Sequence, residues 1–331
     1  MREIGRPESR LLEELQNDFP LCPHPFAEIG ERCGLPETEA IQATGQMLED
    51  GLIREISALL DGSRIGFKST LVALRVAEGR VEAVARRINA HPGVSHNYRR
   101  NHPFNVWFTL SLPRRRDFTQ TVEEITVGRA EQALILPALR TFKLRVHLPM
   151  NRESGKHPTA APAQQISRHA ETAPLTDFER AVLGRLENPL PVEEQPWKSV
   201  SSDLGIDEDK LIDTVAKLKS RGMIRRIAAV LRHRKVGFTA NGMAALRVPE
   251  ARIEAAGWEA AAFAQVSHCY QRKSYPEWPY SLYAMVHART RAECASVVER
   301  ISRAVDCTDY QLLYSTEEFK KQRIKYFGGQ G

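Results

Sequence analysis

The chain repeats itself at an offset of about 170 positions, and nothing else in it restricts the available folds as strongly. Gly51-Leu52-Ile53-Arg54 returns as Gly222-Met223-Ile224-Arg225, Gly66-Phe67 as Gly237-Phe238, and Leu74-Arg75-Val76 as Leu246-Arg247-Val248. The longest echo pairs VSHNYRRNHPFNVWFTLS, from Val94 to Ser111, with VSHCYQRKSYPEWPYSLYAMVH, from Val266 to His287. A chain built this way must place two like units so that each covers the other's exposed apolar surface.

Each half reads as a helical unit followed by a mixed one. In the first, Glu8 to Phe19, Phe26 to Cys33 and Glu37 to Asp50 carry apolar residues at helical spacing, with Gly51 as a stop. Leu52 to Leu60 alternates as a short wing, the outline of a winged helix-turn-helix. From Gly66 the order is strand, helix (Glu78 to Ala90), two strands, helix (Arg116 to about Arg129) and a last strand from Thr141 to Leu148, a ferredoxin-like βαββαβ unit. The second half repeats this, with Asp207 capping its third helix and Gly222 ending it.

The expected class is therefore α+β, a tandem repeat whose two sheets pack face to face as a pseudo-dimer. The expected divisions are 1–62 and 174–233 for the helix-turn-helix units and 63–150 and 234–331 for the αβ units. Residues 151–173, poor in large apolar side chains, form a flexible linker.

Strand alternation puts His96, Tyr98, Arg100 and His102 on one face, and Asn105, Trp107, Thr109 and Ser111 beside them on the next strand. Lys143, Arg145 and His147 join that face from the last strand. The echo supplies His268, Tyr270, Arg272, Ser281, Tyr283, Met285 and His287, with Lys273 at the turn. Phe104, Val106, Phe108 and Leu110 are assigned to the helix-facing side. A free face this rich in His, Arg, Tyr and Trp points to a polar binding surface, since plain sheet-to-sheet contacts favour apolar residues.

The charge balance, 47 Lys+Arg against 41 Asp+Glu, permits an anionic partner. Nucleic acid is disfavoured all the same, because the third helices begin Pro36-Glu37-Thr38-Glu39 and Asp207-Glu208-Asp209, acids set where DNA phosphates would lie. The basic run Lys217, Lys219, Arg221, Arg225, Arg226, Arg232, Arg234 and Lys235 is the feature on the other side. Five scattered cysteines without a C-x-x-C pair indicate neither disulfides nor a zinc site. No run approaches the roughly 18 apolar residues that span a bilayer, so no membrane partner is expected and the cytoplasm is the expected compartment.

The winged helix followed by βαββαβ resembles the Lrp/AsnC superfamily of regulators. The strings VSHNYRRNHPFNVWFTL and VSHCYQRKSYPEWPYSLYAMVH more closely resemble its enzymatic branch, the siroheme decarboxylases, in the fused form that joins two related subunits. The resemblance implies decarboxylation of the ring C and D acetate side chains of siroheme to 12,18-didecarboxysiroheme, in heme d1 or alternative heme biosynthesis. It implies a pocket around His96, Tyr98, Arg100, His268, Tyr270 and Arg272, with Trp107 and His287 on the adjoining strands. Ser281 departs from the pattern, standing where an asparagine like Asn105 is expected.

For such a substrate, Arg100, Arg272 and Arg145, joined by Arg75 and Arg247, suit carboxylate clamping, with Lys273, His102 and His147 as further contacts. Trp107 or Tyr283 suits the macrocycle face. His96 or His268, aided by Tyr98 or Tyr270, is the candidate acid that protonates the carbon left by carbon dioxide; either could instead be an axial ligand to the substrate iron. No intrinsic metal site and no separate cofactor is expected, since the iron tetrapyrrole is the substrate and serves as its own electron sink. Expected partners are siroheme and its product, with related subunits or a second copy of the chain. The alternatives are a ligand-sensing DNA-binding regulator and a carrier without turnover.

Overall fold

The computed structural model describes residues 6–144, 174–231 and 240–328. Three helices open each half: α1 (Arg6–Leu15), α2 (Pro25–Cys33) and α3 (Glu37–Glu49) in the first, and α6 (Asp177–Leu186), α7 (Pro196–Leu204) and α8 (Glu208–Ser220) in the second. Proline at the start of α2 and α7 sits where its missing N–H is not needed. Gly51 and Gly222 follow α3 and α8 with φ of 67° and 71°, a left-handed turn that frees the chain to leave as a strand. Asp207 caps α8 by accepting from the Asp209 N–H at 2.9 Å.

Those strands, β1 (Ile53–Leu60) and β6 (Ile224–Leu231), are the expected wings, but each finds its partner in the other half. They pair antiparallel with each other, Ser57 opposite Ala228. The two helical units thus share one core, in which Leu11, Leu15, Phe26 and Ile56 pack with Leu183, Trp197, Leu218 and Ile227. Trp197 seals the junction by donating from Nε1 to the Pro20 carbonyl at 3.0 Å.

The αβ unit of the first half runs β2 (Phe67–Arg75), α4 (Val81–Ala90), β3 (Val94–Arg100), β4 (Val106–Pro113), α5 (Phe118–Thr126) and β5 (Gln132–Leu144). The second runs β7 (Ala240–Leu246), α9 (Ile253–Ala262), β8 (Val266–Arg272), β9 (Leu282–Ala288), α10 (Arg291–Ala304) and β10 (Tyr310–Lys321). The βαββαβ order is as the periodicity predicts. The sheets do more than face each other, because their edges join. Eight strands close a barrel in the order β10-β3-β4-β2-β5-β8-β9-β7.

Closure depends on the two long last strands. β5 pairs with β2 of its own half through Pro137, passes an irregularity between Ala138 and Arg140, and continues along β8 of the other half to Leu144. β10 repeats this, pairing with β7 through Tyr314 and then with β3 from Ser315. Neither sheet is left with an unpaired edge, the usual site of unwanted strand addition. The first half's last strand therefore starts at Gln132, well before the expected Thr141. Pro137 and the irregular register interrupt its alternation, and this hides the start from a period-two reading.

Outside the barrel the helices cover each sheet: Val81, Val84, Ile88, Val122 and Ile125 lie over the first, and Ile253, Ala256, Val297, Val298 and Ile301 over the second. Phe142 crosses with its strand and packs into the second half's core. Inside, one end of the barrel is stopped by an aromatic plug that includes Phe104, Trp107, Trp278, Tyr280 and Tyr283. Phe104, expected on the helix side, belongs to this plug instead, because β4 begins only at Val106 and the preceding turn redirects it.

Candidate active site

The open end of the barrel forms a cavity of about 1080 Å³, closed above by the β1–β2 connection and the chain after β10. Its walls include His96 and His268, the histidines of the two copies of Val-Ser-His. In each, the ladder register slips between the valine and the histidine, so Val94 and Val266 sit opposite Leu110 and Val286 while His96 and His268 sit opposite Thr109 and Met285. The serine is a bulge residue. The bulge lets Val94 and Val266 enter the helix-covered cores while His96 and His268 turn to the cavity. Simple alternation puts these valines and histidines on one face, so the serines are what the sequence reading missed.

Beyond the bulge the alternation holds. His96, Tyr98 and Arg100 line the cavity with His268, Tyr270 and Arg272, and Trp107, Tyr283 and His287 join them from β4 and β9. Between them Asn97 and Cys269 point to the helices, Asn97 donating to Asn89 at 2.9 Å. Asn105 and Ser281 serve the fold. Asn105 bonds both backbone groups of Val76, and Ser281 does the same for Val248, so serine in place of asparagine keeps the same anchor.

The two arginines are held from the opposite half. Arg100 donates to the Leu313 carbonyl at 2.9 Å and Arg272 to the Leu136 carbonyl at 2.6 Å. The Nε atoms of both are buried and have no hydrogen-bond partner. No described carboxylate pairs with either guanidinium; their neighbours are the rings of Tyr98, Tyr270 and Tyr283. Burial pushes Arg100 down to about 10, still charged near neutral pH. Two cations shut away without an anion are costly unless a bound ligand supplies one.

His96 Nδ1 lies 2.9 Å from Ser95 Oγ. Burial, with Lys321 and Arg54 adding to it, pulls its pKa down to about 4, so the ring is neutral at neutral pH. His268 Nδ1 lies 2.7 Å from Ser267 Oγ. Burial raises the Tyr270 and Tyr283 phenols, which therefore stay protonated, and Tyr283 accepts from Trp278 Nε1 at 2.5 Å. Trp107, 1 % exposed, forms the floor, donating to the Phe104 carbonyl at 2.6 Å.

Other expected residues lie elsewhere. His102 follows the end of β3, stacks on Phe104 and meets Trp278 edge-on, lining a separate cleft of about 410 Å³ with Arg99 and Glu317. Lys273 lies past the end of β8, exposed, over the Tyr275 ring. Arg75 covers Phe104 and Arg247 pairs with Asp309. The irregularity between Thr141 and Lys143 turns the Lys143 amine to the Ala261 and Phe263 carbonyls. Arg145, His147 and the linker lie outside the described residues, as do Arg232, Arg234 and Lys235.

The reading also missed cavity residues from outside the barrel: Asp61, Arg225, Arg323 and Tyr326. Arg225, counted with the basic run, is ion-paired to Asp61 at 3.1 Å. Arg323 reaches Glu55, Ser57 and the Ala58 carbonyl, and the Tyr326 and Phe327 N–H groups donate to Glu187. The only sequence signal for this strap is the aromatic and basic run at its end, KYF after Ile324.

Comparison with known proteins fits this geometry. Residues 8–54 and 179–225 match the siroheme decarboxylase NirDL-like HTH domain, and 64–143 and 235–320 the AsnC-like ligand binding domain. The siroheme decarboxylase of Hydrogenobacter thermophilus is 36% identical over 98% of this chain and 96% of its own length. The chain belongs to the siroheme decarboxylase family. It is accordingly a carboxy-lyase, as the paired strings imply. The crystal structure of the siroheme decarboxylase NirDL in co-complex with an iron-uroporphyrin III analogue is similar at a TM-score of 0.75 and 33% identity, covering 97% of this chain and 95% of that one. The siroheme decarboxylase beta subunit of Methanosarcina barkeri is 42% identical over 44% of this chain and 95% of the subunit, so one such subunit corresponds in length to one half. Among the described residues, no group of three or more His, Cys, Asp or Glu could hold a metal ion, and no helix is long and apolar enough to cross a membrane.

Proposed function

We propose that the chain decarboxylates siroheme at the acetate side chains of rings C and D, releasing carbon dioxide and leaving methyl groups, in the heme d1 or alternative heme route. The observation that carries this is the pair of buried guanidiniums, Arg100 and Arg272, which lack a described carboxylate partner and line one cavity together with His96 and His268. An anionic substrate supplies the missing counter-charge through charge-assisted hydrogen bonds. The cavity slightly exceeds the roughly 300–1,000 Å³ of ordinary small-ligand sites, which suits a macrocycle.

Trp107 and Tyr283 form the surface against which the ring lies, and His96, neutral at pH 7, is a suitable ligand for the substrate iron. When a C–C bond breaks, its electron pair passes into the conjugated ring and returns to the side-chain carbon, which takes a proton from an imidazole. This scheme uses no organic cofactor besides the substrate, and one chain supplies both walls. We place the reaction in the cytoplasm.

The regulator reading loses its main support in the basic run. Lys219 is paired with Asp18, Arg221 with Glu179 and Arg225 with Asp61, while Arg226 donates to the Gln16 carbonyl. Acids still open α3 and α8. Anaerobic incubation of the purified protein with siroheme, followed by mass analysis of the pigment, tests the proposal. Loss of carbon dioxide equivalents is expected. Intact siroheme indicates a carrier, and salt-sensitive binding to a specific duplex without bound pigment indicates a regulator.

A further inference from the structure

One hydrogen-bond chain sets the two cavity walls apart. On the second wall His268 Nδ1 lies 2.7 Å from Ser267 Oγ, the same Oγ lies 2.7 Å from His287 Nε2, and His287 Nδ1 lies 2.7 Å from Asn241 Oδ1. The bulge at Ser267 makes this geometry, since it brings one hydroxyl between an imidazole of its own strand and one of β9. On the first wall the same ladder positions hold Ser111 and Ser69, whose hydroxyls bond each other at 2.6 Å. His96 there meets Ser95 at 2.9 Å. The second wall has two imidazoles within 2.7 Å of one hydroxyl, a group able to donate and to accept, with the Met285 carbonyl 3.4 Å from it; the first has one imidazole.

Building on the decarboxylase reading, we infer that Ser267, His287 and Asn241 form a proton relay that makes His268 the acid for the substrate carbon. A neutral imidazole that gave up its only ring proton would become an imidazolate, which is inaccessible near neutral pH. The relay removes that obstacle. In the charged pair, His287 carries both ring protons, donating from Nδ1 to Asn241 Oδ1 and from Nε2 to Ser267 Oγ. The Ser267 hydroxyl donates to His268 Nδ1, and His268 offers Nε2–H to the cavity.

As carbon dioxide leaves, the electron pair of the broken C–C bond takes the His268 Nε2 proton and forms the new C–H bond. Ser267 then passes its proton to His268 Nδ1 and receives the His287 Nε2 proton. Both imidazoles end neutral and protonated at Nδ1; the pair has lost one proton and the substrate has gained it. The Asn241 oxygen only accepts, so it holds the remaining His287 proton in place. Ser267, His287 and Asn241 are positioning residues in this scheme, acting through His268. The first wall lacks the second imidazole, so His96 has no such supply.

Histidine ¹⁵N spectra of the ligand-free protein, at a pH where both rings are neutral, test the relay. His268 is expected as the Nδ1–H tautomer in the parent and in Ser267→Thr, reverting to Nε2–H in Ser267→Ala. In anaerobic turnover of siroheme, Ser267→Ala and His287→Phe should lower kcat about 10²-fold with KM within about twofold, while Ser267→Thr retains activity. An Nε2–H tautomer of His268 in the parent, or Ser267→Ala turning over at the parent rate, overturns the relay. A parent that leaves siroheme intact overturns the functional reading instead, and the ligand-free spectra still decide the relay.

Discussion

Arg272 donates to the backbone carbonyl of Leu136 at 2.6 Å, and the two residues belong to opposite halves of the chain. The mirrored bond joins Arg100 to Leu313. Each guanidinium is thus aimed by the strand that closes the barrel beside it, and its buried Nε has no hydrogen-bond partner. Replacing either arginine by methionine removes a buried, uncompensated cation, so the ligand-free protein should be as stable as the parent or more so. Affinity for siroheme should fall by about 1.5–3 kcal/mol per arginine, roughly ten- to over a hundredfold in Kd. Absorbance titration alongside urea unfolding separates the two effects.

Stability should decline in mild acid. Burial lowers His96 to about 4, and His91 and His102 are also lowered by burial. Groups depressed in this way take up protons more readily in the unfolded chain. Their contribution is therefore full above the unfolded value of about 6.5 and is lost as pH falls below it; for His96 the loss levels off below about 4. For His96 alone the loss is up to roughly 3 kcal/mol. Urea midpoints between pH 7.5 and 4.5 should show the slope, and His96→Gln should flatten it.

The crossover of β5 predicts that the two halves unfold together. Phe142, on the first half's strand, packs in the second half's core against Trp258 and Gly257. Phe142→Ala should cost about 3–5 kcal/mol. Gly257→Ala, whose added methyl would overlap the Phe142 ring, should cost about 1–3 kcal/mol. Both should shift a single denaturation transition; two separated transitions would contradict the shared core.

The strap after β10 should govern escape from the cavity. Arg323→Ala releases its bonds to Glu55, Ser57 and Ala58 while leaving the barrel walls intact. Ligand dissociation measured by stopped flow is expected to quicken several-fold, with single-turnover chemistry little changed.

Much of this was legible in the residues. The repeat gave the two halves, the glycine stops and alternation gave the elements, and His96, Tyr98, Arg100 and their counterparts fell on the cavity side. What escaped depended on contacts between distant segments. The Ser95 and Ser267 bulges show only in the partner strand's register, the pairing of β1 with β6 needs a neighbour that local periodicity cannot name, and β5 is masked by Pro137 and by its change of partner. Arg225 looked like a surface cation because Asp61, far away in sequence, is what turns it inward.

Sharing the last strands also fixes stoichiometry. Neither half alone completes a cavity or covers its own sheet edges, so two walls made as separate polypeptides would have to meet one-to-one by diffusion before either could work. On one chain the second wall is present at an effective concentration on the order of millimolar whatever the expression level. The wall carrying His287 and Asn241 is then always matched with the wall carrying Ser111 and Ser69, and pairing of like with like has no advantage.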